Sequence, residues 1–153
     1  MVSDKKESKF GSVVVYLHNS GRNIAPFFDR VLGMFQENFE KYEIICVNDA
    51  STDDSVEELK KYFDGGRDGG CMINIIHMSY FHGLEASMNA GRDMAIGDFV
   101  YEFDDINPDY PARLIREVYD RLLTGYDIVS ASCKGKTKFT SRMFYLFYNM
   151  TSN

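Results

Sequence analysis

Short apolar runs alternate with amphipathic stretches along this chain. Runs typical of buried strands occupy residues 12–17, 42–47, 72–78, 99–103 and 126–131. Apolar residues recur at helical spacing in residues 24–39, 55–63, 84–95 and 111–123. The pattern therefore predicts five strands that alternate with four helices.

Such β-α alternation predicts an α/β fold with three layers, α/β/α, around a mostly parallel central sheet. In sheets of this kind, ligands bind beyond the carboxyl ends of the strands. The loops that follow the first four strands are residues 18–23, 48–54, 79–83 and 104–109, and three of the four are rich in Asp, Asn or Ser. We therefore expect the functional site at these loops.

Composition limits the alternatives. With 153 residues, 44% of them hydrophobic, the chain can bury one substantial core. We expect a polar tail over residues 1–10 and one domain over residues 11–133. A net charge of -6 argues against nucleic acid as a partner. Three widely spaced cysteines form no CxxC pair, and no signal peptide or membrane-spanning run is present, which favours a reducing cytoplasm.

The last 20 residues differ from the rest. A basic cluster at residues 134–138 precedes an aromatic stretch in which Phe144, Phe147 and Tyr148 share one face of a predicted helix. A terminal helix this aromatic needs a partner surface. We expect residues 134–153 to belong to a longer natural protein, and we expect homo-oligomers to form through this stretch.

Two loops carry candidate chemistry. Asp104 and Asp105 follow the fourth predicted strand, and their hard carboxylate oxygens suit Mg²⁺ or Mn²⁺ beside a phosphate. Asp49 ends the second strand, where its carboxylate could accept hydrogen bonds from a base imide or amine. Helix capping explains the Ser, Thr and Asp residues at positions 51–54 at least as well as a functional role does.

Several segments of the chain match the motifs of one known family in order and spacing. The segment VNDASTDDS at residues 47–55 resembles a strand that runs into a D-D-G-S-T-D-like loop. The segments GLEASMNAG at 83–91, AIGD at 95–98 and DDINPDYP at 104–111 are similar to a G-x-x-x-A helix, an A-x-G-D element and a D-x-D loop. The end of the first strand, Leu17 to Asn19, is similar to an N-terminal strand followed by Asn. Together these motifs, which cover residues 12–131, resemble glycosyltransferase family 2.

The resemblance implies a Rossmann-like GT-A fold that binds a nucleoside diphosphate sugar. It implies inverting transfer to a saccharide or polyprenyl-phosphate acceptor. The implied nucleotide-binding positions are Leu17, Asn19, Asp49, Ser51, Gly83 and Asp104. The implied ligands of Mg²⁺ or Mn²⁺ are Asp104 and Asp105. No residue is assigned as the catalytic base, because the family's base comes from a part of the domain that follows the D-x-D strand. We therefore expect truncation after this region.

Two positions depart from the family pattern. Counted from Gly97, the second acid of D-x-D falls on Ile106, so Asp105 would have to replace it. Tyr80, Phe81 and His82 stand where the family often has an Arg that approaches the diphosphate.

Two alternatives follow from these departures and from the acidic loops. One is a non-catalytic glycosyltransferase-like domain that binds a nucleotide sugar or a partner, and the other is a nucleotidyltransferase-like α/β enzyme. Membrane association, at the inner face, is expected only if the natural protein continues.

Overall fold

A computed structural model describes residues 6–66, 69–106, 111 and 113–131. In this part of the chain, strands and α-helices alternate in the order β1 Gly11–Leu17, α1 Ile24–Asn38, β2 Tyr42–Asn48, α2 Ser55–Asp64, β3 Met72–His77, α3 Leu84–Met94, β4 Phe99–Phe103 and α4 Leu114–Leu122. A short 3₁₀ turn, Gly21–Asn23, leads into α1. The first eight predicted elements are confirmed, most of them with ends that shift by a residue or two.

The four strands form one parallel sheet in the order β3-β2-β1-β4. Val13 of β1 lies opposite Ile44 of β2 and Tyr101 of β4. The central strands are built from β-branched and other apolar residues that favour extended backbone. Because the strand order reverses between β1 and β4, a crevice is expected at their carboxyl ends.

Helices cover both faces of the sheet. On one face, α1 places Phe27 against Phe103 and Phe35 against Tyr101, with ring centroids 5.2 and 5.0 Å apart. On the other face, Met88 of α3 packs with a buried cluster formed by Val14, Ile45 and Val47. The expected α/β/α layering around a parallel sheet is confirmed.

Gly91 allows α3 to approach the sheet closely. A Cβ atom at this position would lie 2.3 Å from Cγ1 of Val14 and 2.9 Å from Cγ2 of Val47. A helix interior normally disfavours glycine, so the residue is explained here by backbone approach. The close packing of α3 on the sheet therefore explains Gly91, the last residue of the GLEASMNAG segment.

A buried polar group anchors the connection into β4. Glu43 of β2 is 1% exposed, and its Oε1 accepts hydrogen bonds from the Ser12 hydroxyl at 2.6 Å and the Ile96 amide at 2.9 Å. The Gly97 amide donates to Ser12 Oγ at 2.9 Å, and Asp98 accepts from the Phe10 amide at 2.9 Å. The AIGD segment therefore fixes the amino end of β4, at the opposite edge of the sheet from the expected site.

The fifth strand is a wrong prediction. Residues 126–131 form no strand, and Ile128 is 86% exposed. An apolar run becomes a strand only where a neighbouring backbone offers hydrogen bonds, which periodicity cannot report. The fourth helix also begins at Leu114 and not at Pro111.

The chain divides into two compact units, residues 1–113 and 114–153. Within the second, α4 buries Ile115 and Tyr119, and Arg116 pairs with Asp120 at 2.9 Å. The predicted C-terminal helix and residues 107–110 of the DDINPDYP segment lie outside the described residues. Among the helices that the structure describes, none combines the length and the apolar character needed to cross a bilayer.

Candidate functional site

The carboxyl ends of β1, β2 and β3 lie side by side and are tied together by backbone hydrogen bonds. The amide of Asp49 donates to the carbonyl of Leu17, and the amide of Met78 donates to the carbonyl of Asn48, each at 2.9 Å. The Leu17 side chain is 1% exposed. Leu17 therefore supports the loops from below and presents no side chain to a ligand.

Asn19 joins the first loop to the second. Its amide donates to the Ser51 hydroxyl at 3.1 Å, and its side-chain carbonyl accepts from the Thr52 amide at 2.8 Å. Asn19 has φ 50° and Ala50 has φ 49°, a left-handed backbone that non-glycine residues adopt at a cost. Strained backbone of this kind concentrates at functional sites, and here it lies where two predicted site residues, Asn19 and Ser51, meet.

Asp49 lies fully buried at the centre of these loops. Oδ1 accepts the His82 amide at 2.8 Å, and Oδ2 accepts the Gly83 amide at 2.8 Å and the Tyr16 hydroxyl at 3.0 Å. Burial alone would raise the pKa of Asp49, but these hydrogen bonds outweigh it and hold the pKa below its ordinary value. The ionised carboxylate thus holds the loop after β3.

Tyr16 is kept as a proton donor to Asp49. Burial, together with the hydrogen bond to the carboxylate, raises the pKa of Tyr16 to about 12. The hydroxyl therefore stays protonated at neutral pH, and the pair is a fixed donor and acceptor. The sequence of the first strand does not predict the hydrogen bond from Tyr16 to Asp49, because this contact depends on β1 and β2 being neighbours in the sheet.

Two histidines lie beside Asp49. Nδ1 of His18 lies 2.6 Å from the main-chain carbonyl oxygen of Asp49, and Nδ1 of His82 lies 4.0 Å from its carboxylate oxygen Oδ1. Their rings contact neighbouring aromatic side chains: His18 packs on Phe81, and His82 stacks on Tyr80. The loop that lacks the family's Arg is thus an ordered group of aromatic and imidazole rings.

Asp53 has a structural role. Its Oδ1 accepts the Ser55 amide and hydroxyl at the start of α2, and its Oδ2 accepts the Gly21 amide at 3.1 Å. These hydrogen bonds hold the pKa of Asp53 down against the opposing effect of burial. Asp53 therefore satisfies an amide in the first turn of α2, whereas the N-cap residue Asp54 makes no side-chain capping hydrogen bond.

Asp104 stands at the end of β4, apart from the Asp49 cluster. Partial burial, then repulsion from Glu102 and Asp105, raise the pKa of Asp104, and Arg92 offsets part of the effect. Asp105 is exposed, whereas Ile106 is 3% exposed and belongs to the core. The position at which the resemblance expects a second acid thus contributes to packing.

Arg92 and Glu102 form an ion pair that the sequence did not reveal. Nη1 of Arg92 lies 2.8 and 3.0 Å from the two carboxylate oxygens of Glu102, and Nη2 donates to Asn89. Arg92 is on α3 and Glu102 is on β4, so only the packing of helix on sheet brings them together. Spacing along the chain carries no signal of this contact.

Two grooves border these residues. The first has a volume of about 540 Å³ and is lined by residues 19–23 with Asp53 and Asp54. The second has a volume of about 480 Å³ and is lined by Leu84, Glu85, Met88, Asn89, Arg92, Glu102 and Asp104. Within the described residues, no group of three or more His, Cys, Asp or Glu side chains is arranged to hold a metal ion by itself.

The geometry can be set beside known proteins. An uncharacterised glycosyltransferase of Synechocystis sp. is 36% identical over 140 residues, which cover 88% of this chain and 42% of that protein. A dodecaprenyl-phosphate galacturonate synthase of Rhizobium johnstonii is 30% identical over 102 residues, covering 67% of this chain and 29% of that protein. The chain spans less than half the length of these curated relatives.

A solved structure shares the fold. The mannosyltransferase PcManGT from Pyrobaculum calidifontis, in complex with GDP-Man and Mn²⁺, matches with a TM-score of 0.62 and 18% identity. The match covers 76% of this chain and 33% of that protein. The parallel sheet with helices on both faces is therefore the fold of a known glycosyltransferase.

A family model described as glycosyl transferase family 2 matches residues 12–148. This range includes each loop that carries a predicted site residue. By this match and by its relatives, the chain belongs to glycosyl transferase family 2.

Proposed function

We propose that this chain is the donor-binding part of a glycosyltransferase that takes its sugar from a nucleoside diphosphate sugar. The observation that carries the proposal is the convergence of Asn19, Asp49, Ser51 and Gly83 in one hydrogen-bonded cluster at the carboxyl edge of the sheet. This is the edge at which α/β folds bind their ligands, and Asp104 ends the strand across the reversal in strand order. Transfer proceeds with inversion at the anomeric carbon.

The role proposed for Asp49 is more specific than a base contact. Because three protein donors occupy its carboxylate, Asp49 orders the loops around the nucleotide and has little remaining capacity for the base. Ser51 and Asn19 are also bound to each other, because the Asn19 amide donates a hydrogen bond to the Ser51 hydroxyl. We therefore place nucleotide contacts on the exposed atoms of these loops and assign Asp49 as a positioning residue.

A divalent cation, Mg²⁺ or Mn²⁺, fits the acidic end of β4. Burial, and then repulsion from Glu102 and Asp105, raise the pKa of Asp104, and a bound cation would offset that repulsion. Asp104 and Asp105 are the residues that would hold it. Mg²⁺ is commonly held by one or two carboxylates plus substrate phosphates. Asp104 and Asp105 are therefore enough protein ligands, even though the next residue, Ile106, is buried and apolar. When bound, the ion supplies charge neutralisation for the diphosphate leaving group.

The acceptor is proposed to be a polyprenyl phosphate, with a saccharide as the alternative. The support is the similarity to the dodecaprenyl-phosphate galacturonate synthase, at 30% identity. The acceptor site and the catalytic base are proposed to belong to the part of the relatives' length that this chain does not span.

A second candidate is a glycosyltransferase-like domain that binds a nucleotide sugar without transferring it. The observation in its favour is Ile106, buried where the family pattern has an acid. The two candidates differ in turnover. Release of nucleoside diphosphate in the presence of a polyprenyl-phosphate acceptor, by the full natural protein, supports transfer, and donor binding without release supports the second candidate.

Donor binding is tested by thermal shift. The chain is heated with UDP-, GDP-, dTDP- and CDP-sugars, each with and without Mn²⁺, and we expect at least one donor to raise the melting temperature in a metal-dependent manner. Asp104→Asn and Asp105→Asn should each remove the Mn²⁺-dependent part. Asp93→Asn, which removes an exposed carboxylate from α3, is the matched control and should retain it. Failure of every donor to shift the melting temperature rules out the proposal for this chain.

A further inference from the structure

Two asparagine side chains hold the loop that follows β2. Oδ1 of Asn19 accepts a hydrogen bond from the Thr52 amide at 2.8 Å. Oδ1 of Asn48 accepts one from the Ser51 amide at 3.2 Å. Because a backbone amide can only donate, these contacts fix which end of each asparagine side chain faces the loop. The NH₂ group of each asparagine is therefore left for another partner.

Each of these NH₂ groups meets a histidine ring nitrogen. Nδ2 of Asn19 lies 3.3 Å from Nε2 of His18. Nδ2 of Asn48 lies 3.3 Å from Nδ1 of His77. An NH₂ group donates and does not accept, so both ring nitrogens must accept and carry no proton. The two Asn–His pairs, Asn19 with His18 and Asn48 with His77, thus require neutral histidines.

The tautomer of His18 is fixed from both sides of its ring. Nδ1 lies 2.6 Å from the main-chain carbonyl oxygen of Asp49, which can only accept, so the proton is on Nδ1. On the other side of the ring, Nε2 accepts from Asn19. Hydrogen bonds thus continue from the Thr52 amide through both side chains to Asp49, and they tie the loop after β1 to the loop after β2 at two points.

Protonation of either histidine conflicts with its asparagine. The added hydrogen would point at the NH₂ group, so that two donors would face each other. Turning the asparagine side chain over would offer its oxygen to the histidine, but it would then place the NH₂ group against the backbone amide of the loop. Either arrangement leaves at least one hydrogen bond unmade, which favours release of the loop.

The loop held by these pairs has a strained backbone. Asn19 and Ala50 have φ of 50° and 49°, in the left-handed region that costs free energy for residues other than glycine. Such conformations persist only where the surrounding contacts enforce them. The two Asn–His pairs supply contacts of this kind on both sides of Ala50, so their loss should let the loop relax.

We propose that His18 and His77 are positioning residues that hold the loop after β2 in its donor-binding arrangement only while both are unprotonated. The inference rests on the proposed function and adds to it a control of donor binding by pH. Histidine is the side chain whose charge normally changes between pH 5 and 8, so mild acid should release the loop. One lost hydrogen bond at each pair corresponds to about 2- to 10-fold in donor affinity per histidine.

Other ionisable groups surround the two pairs. The three loops that follow β1, β2 and β3 also carry Arg22, Asp49, Asp53, Asp54, Tyr80 and His82, and the first turn of α2 adds Glu57 and Glu58. Hydrogen bonds hold the pKa of Asp49 and of Asp53 below the ordinary value, and the pKa of Tyr16 is raised to about 12. His82 is therefore the neighbour whose effect must be separated from that of the two pairs.

Long-range ¹H–¹⁵N NMR of the histidine rings in the whole chain tests the assignment without any ligand. At pH 7.5 we expect His18 to carry its proton on Nδ1 and His77 to carry its proton on Nε2. On lowering the pH to 5.5, the amide signals of Ser51 and Thr52 should shift together with the ring signals. A His18 proton on Nε2 at pH 7.5, or loop amides that do not follow the rings, overturns the inference.

Isothermal titration calorimetry with Mn²⁺ measures the effect on donor binding. The ligand is the nucleoside diphosphate that binds best among UDP, GDP, dTDP and CDP, at pH 7.5 and at pH 5.5. Because the ligand and the carboxylates also respond to pH, the measured quantity is the ratio of the two affinities. His18→Gln and His77→Asn offer acceptor oxygens that take up no proton, so each should reduce the loss of affinity in acid by about 2- to 10-fold relative to wild type.

The matched control is His82→Gln. Nδ1 of His82 faces the Tyr80 carbonyl oxygen at 2.5 Å and the Asp49 carboxylate at 4.0 Å, both acceptors, so protonation there creates no conflict. This variant should keep the wild-type loss of affinity in acid. A full loss in His18→Gln and His77→Asn, or its disappearance in His82→Gln, overturns the inference while the proposed function stands. A wild-type chain that binds none of the nucleotides at either pH overturns the proposed function, and the NMR measurement still decides the hydrogen-bond assignment.

Discussion

Both oxygens of the Asp49 carboxylate are engaged by protein donors that come from β1 and from the loop after β3. The hydrogen bonds to backbone amides keep the group ionised despite its complete burial. A buried charge with this number of donors is a strong structural constraint, because each donor would be unsatisfied without it. At the scale of single residues, the order of the site therefore depends on one carboxylate.

Replacing Asp49 by Asn should lower the free energy of unfolding by roughly 2–4 kcal/mol. The amide has one acceptor oxygen and a donor NH₂ group, so it cannot accept from His82, Gly83 and Tyr16 as the carboxylate does. Urea unfolding followed by circular dichroism measures the change. Asp54→Asn, an exposed neighbour in the same loop, is the control and should change the free energy by less than about 0.5 kcal/mol.

The same comparison has a pH signature. The folded pKa of Asp49 lies below its ordinary value of 3.8, so its contribution is complete above that value and is lost as the pH falls through the folded pKa. The stability gap between wild type and Asp49→Asn should therefore be constant near neutral pH and narrow only below about pH 3.8. A gap that narrows between pH 5 and 7 would assign the effect to another group.

Asp104 shows the opposite behaviour. Its raised pKa means that ionisation costs the folded state some stability above the ordinary pKa, and protonation recovers it. In the absence of metal, Asp104→Asn should thus raise the melting temperature slightly at neutral pH. The gain in the free energy of unfolding should be no more than about 0.5 kcal/mol, because the residue is exposed.

Differential scanning calorimetry without metal, at neutral pH and at pH 3, measures the effect of Asp104→Asn. The gain should vanish at the lower pH, where Asp104 of the wild type is protonated. Asp93→Asn removes an equal charge from α3 and should give no gain at either pH. If both variants stabilise the chain equally, net charge and not the cluster at the end of β4 is the cause.

Two helices of the first unit, α1 and α3, are bound to the sheet by different types of contact. Aromatic rings connect α1 to β4, whereas α3 lies close to β1 and β2 because Gly91 carries no side chain. The position of α3 matters to the site, since the helix begins directly after Gly83 and carries Arg92, which pairs with Glu102 two residues before Asp104. At the scale of elements, the close packing of α3 therefore connects the Asp49 cluster with the acidic end of β4.

Gly91→Ala tests this packing. The added methyl group would meet Val14 and Val47 at sub-van der Waals distance, and we expect a loss of about 1–3 kcal/mol in the free energy of unfolding. Gly33→Ala in α1 makes the same chemical change where nothing lies within 4 Å, and it should instead stabilise the chain by about 0.5–1 kcal/mol. Chemical denaturation of the two variants measures both values. Equal signs for the two would refute the close-approach explanation.

The described sheet has its most buried strands in the middle. Every residue of β2 and all but one of β1 are buried, whereas β3 and β4 are intermediate or exposed along their lengths. The site lies across this gradient, with Asp49 directly after a central strand and the aromatic and acidic loops after the outer ones. At the scale of the molecule, a buried centre therefore carries the loops of the site, and Asp49 binds the loop after β3 to it.

Hydrogen exchange should reproduce the gradient. Amides of β1 and β2 are expected to exchange only on global unfolding, while those of β3 and β4 exchange faster through local opening. Mass spectrometry of peptides from the whole chain measures the rates. Protection of β4 equal to that of β1 would contradict the expectation and would indicate that further backbone covers its outer edge.

Sequence alone predicts the alternation of strands and helices, the parallel sheet and the family, because these follow from local periodicity and from motifs with fixed spacing. It also placed Asn19, Asp49, Ser51 and Gly83 in loops at one edge, since parallel strands end on the same side. Four features depend on the tertiary structure: the hydrogen-bond partners of Asp49, the contact of Phe81 with His18, the Arg92–Glu102 ion pair and the burial of Ile106. These features join residues that are neighbours only across strands or between helix and sheet, and the failed strand at residues 126–131 has the same cause. Pairing and burial depend on which surfaces meet, and a local pattern carries no record of that.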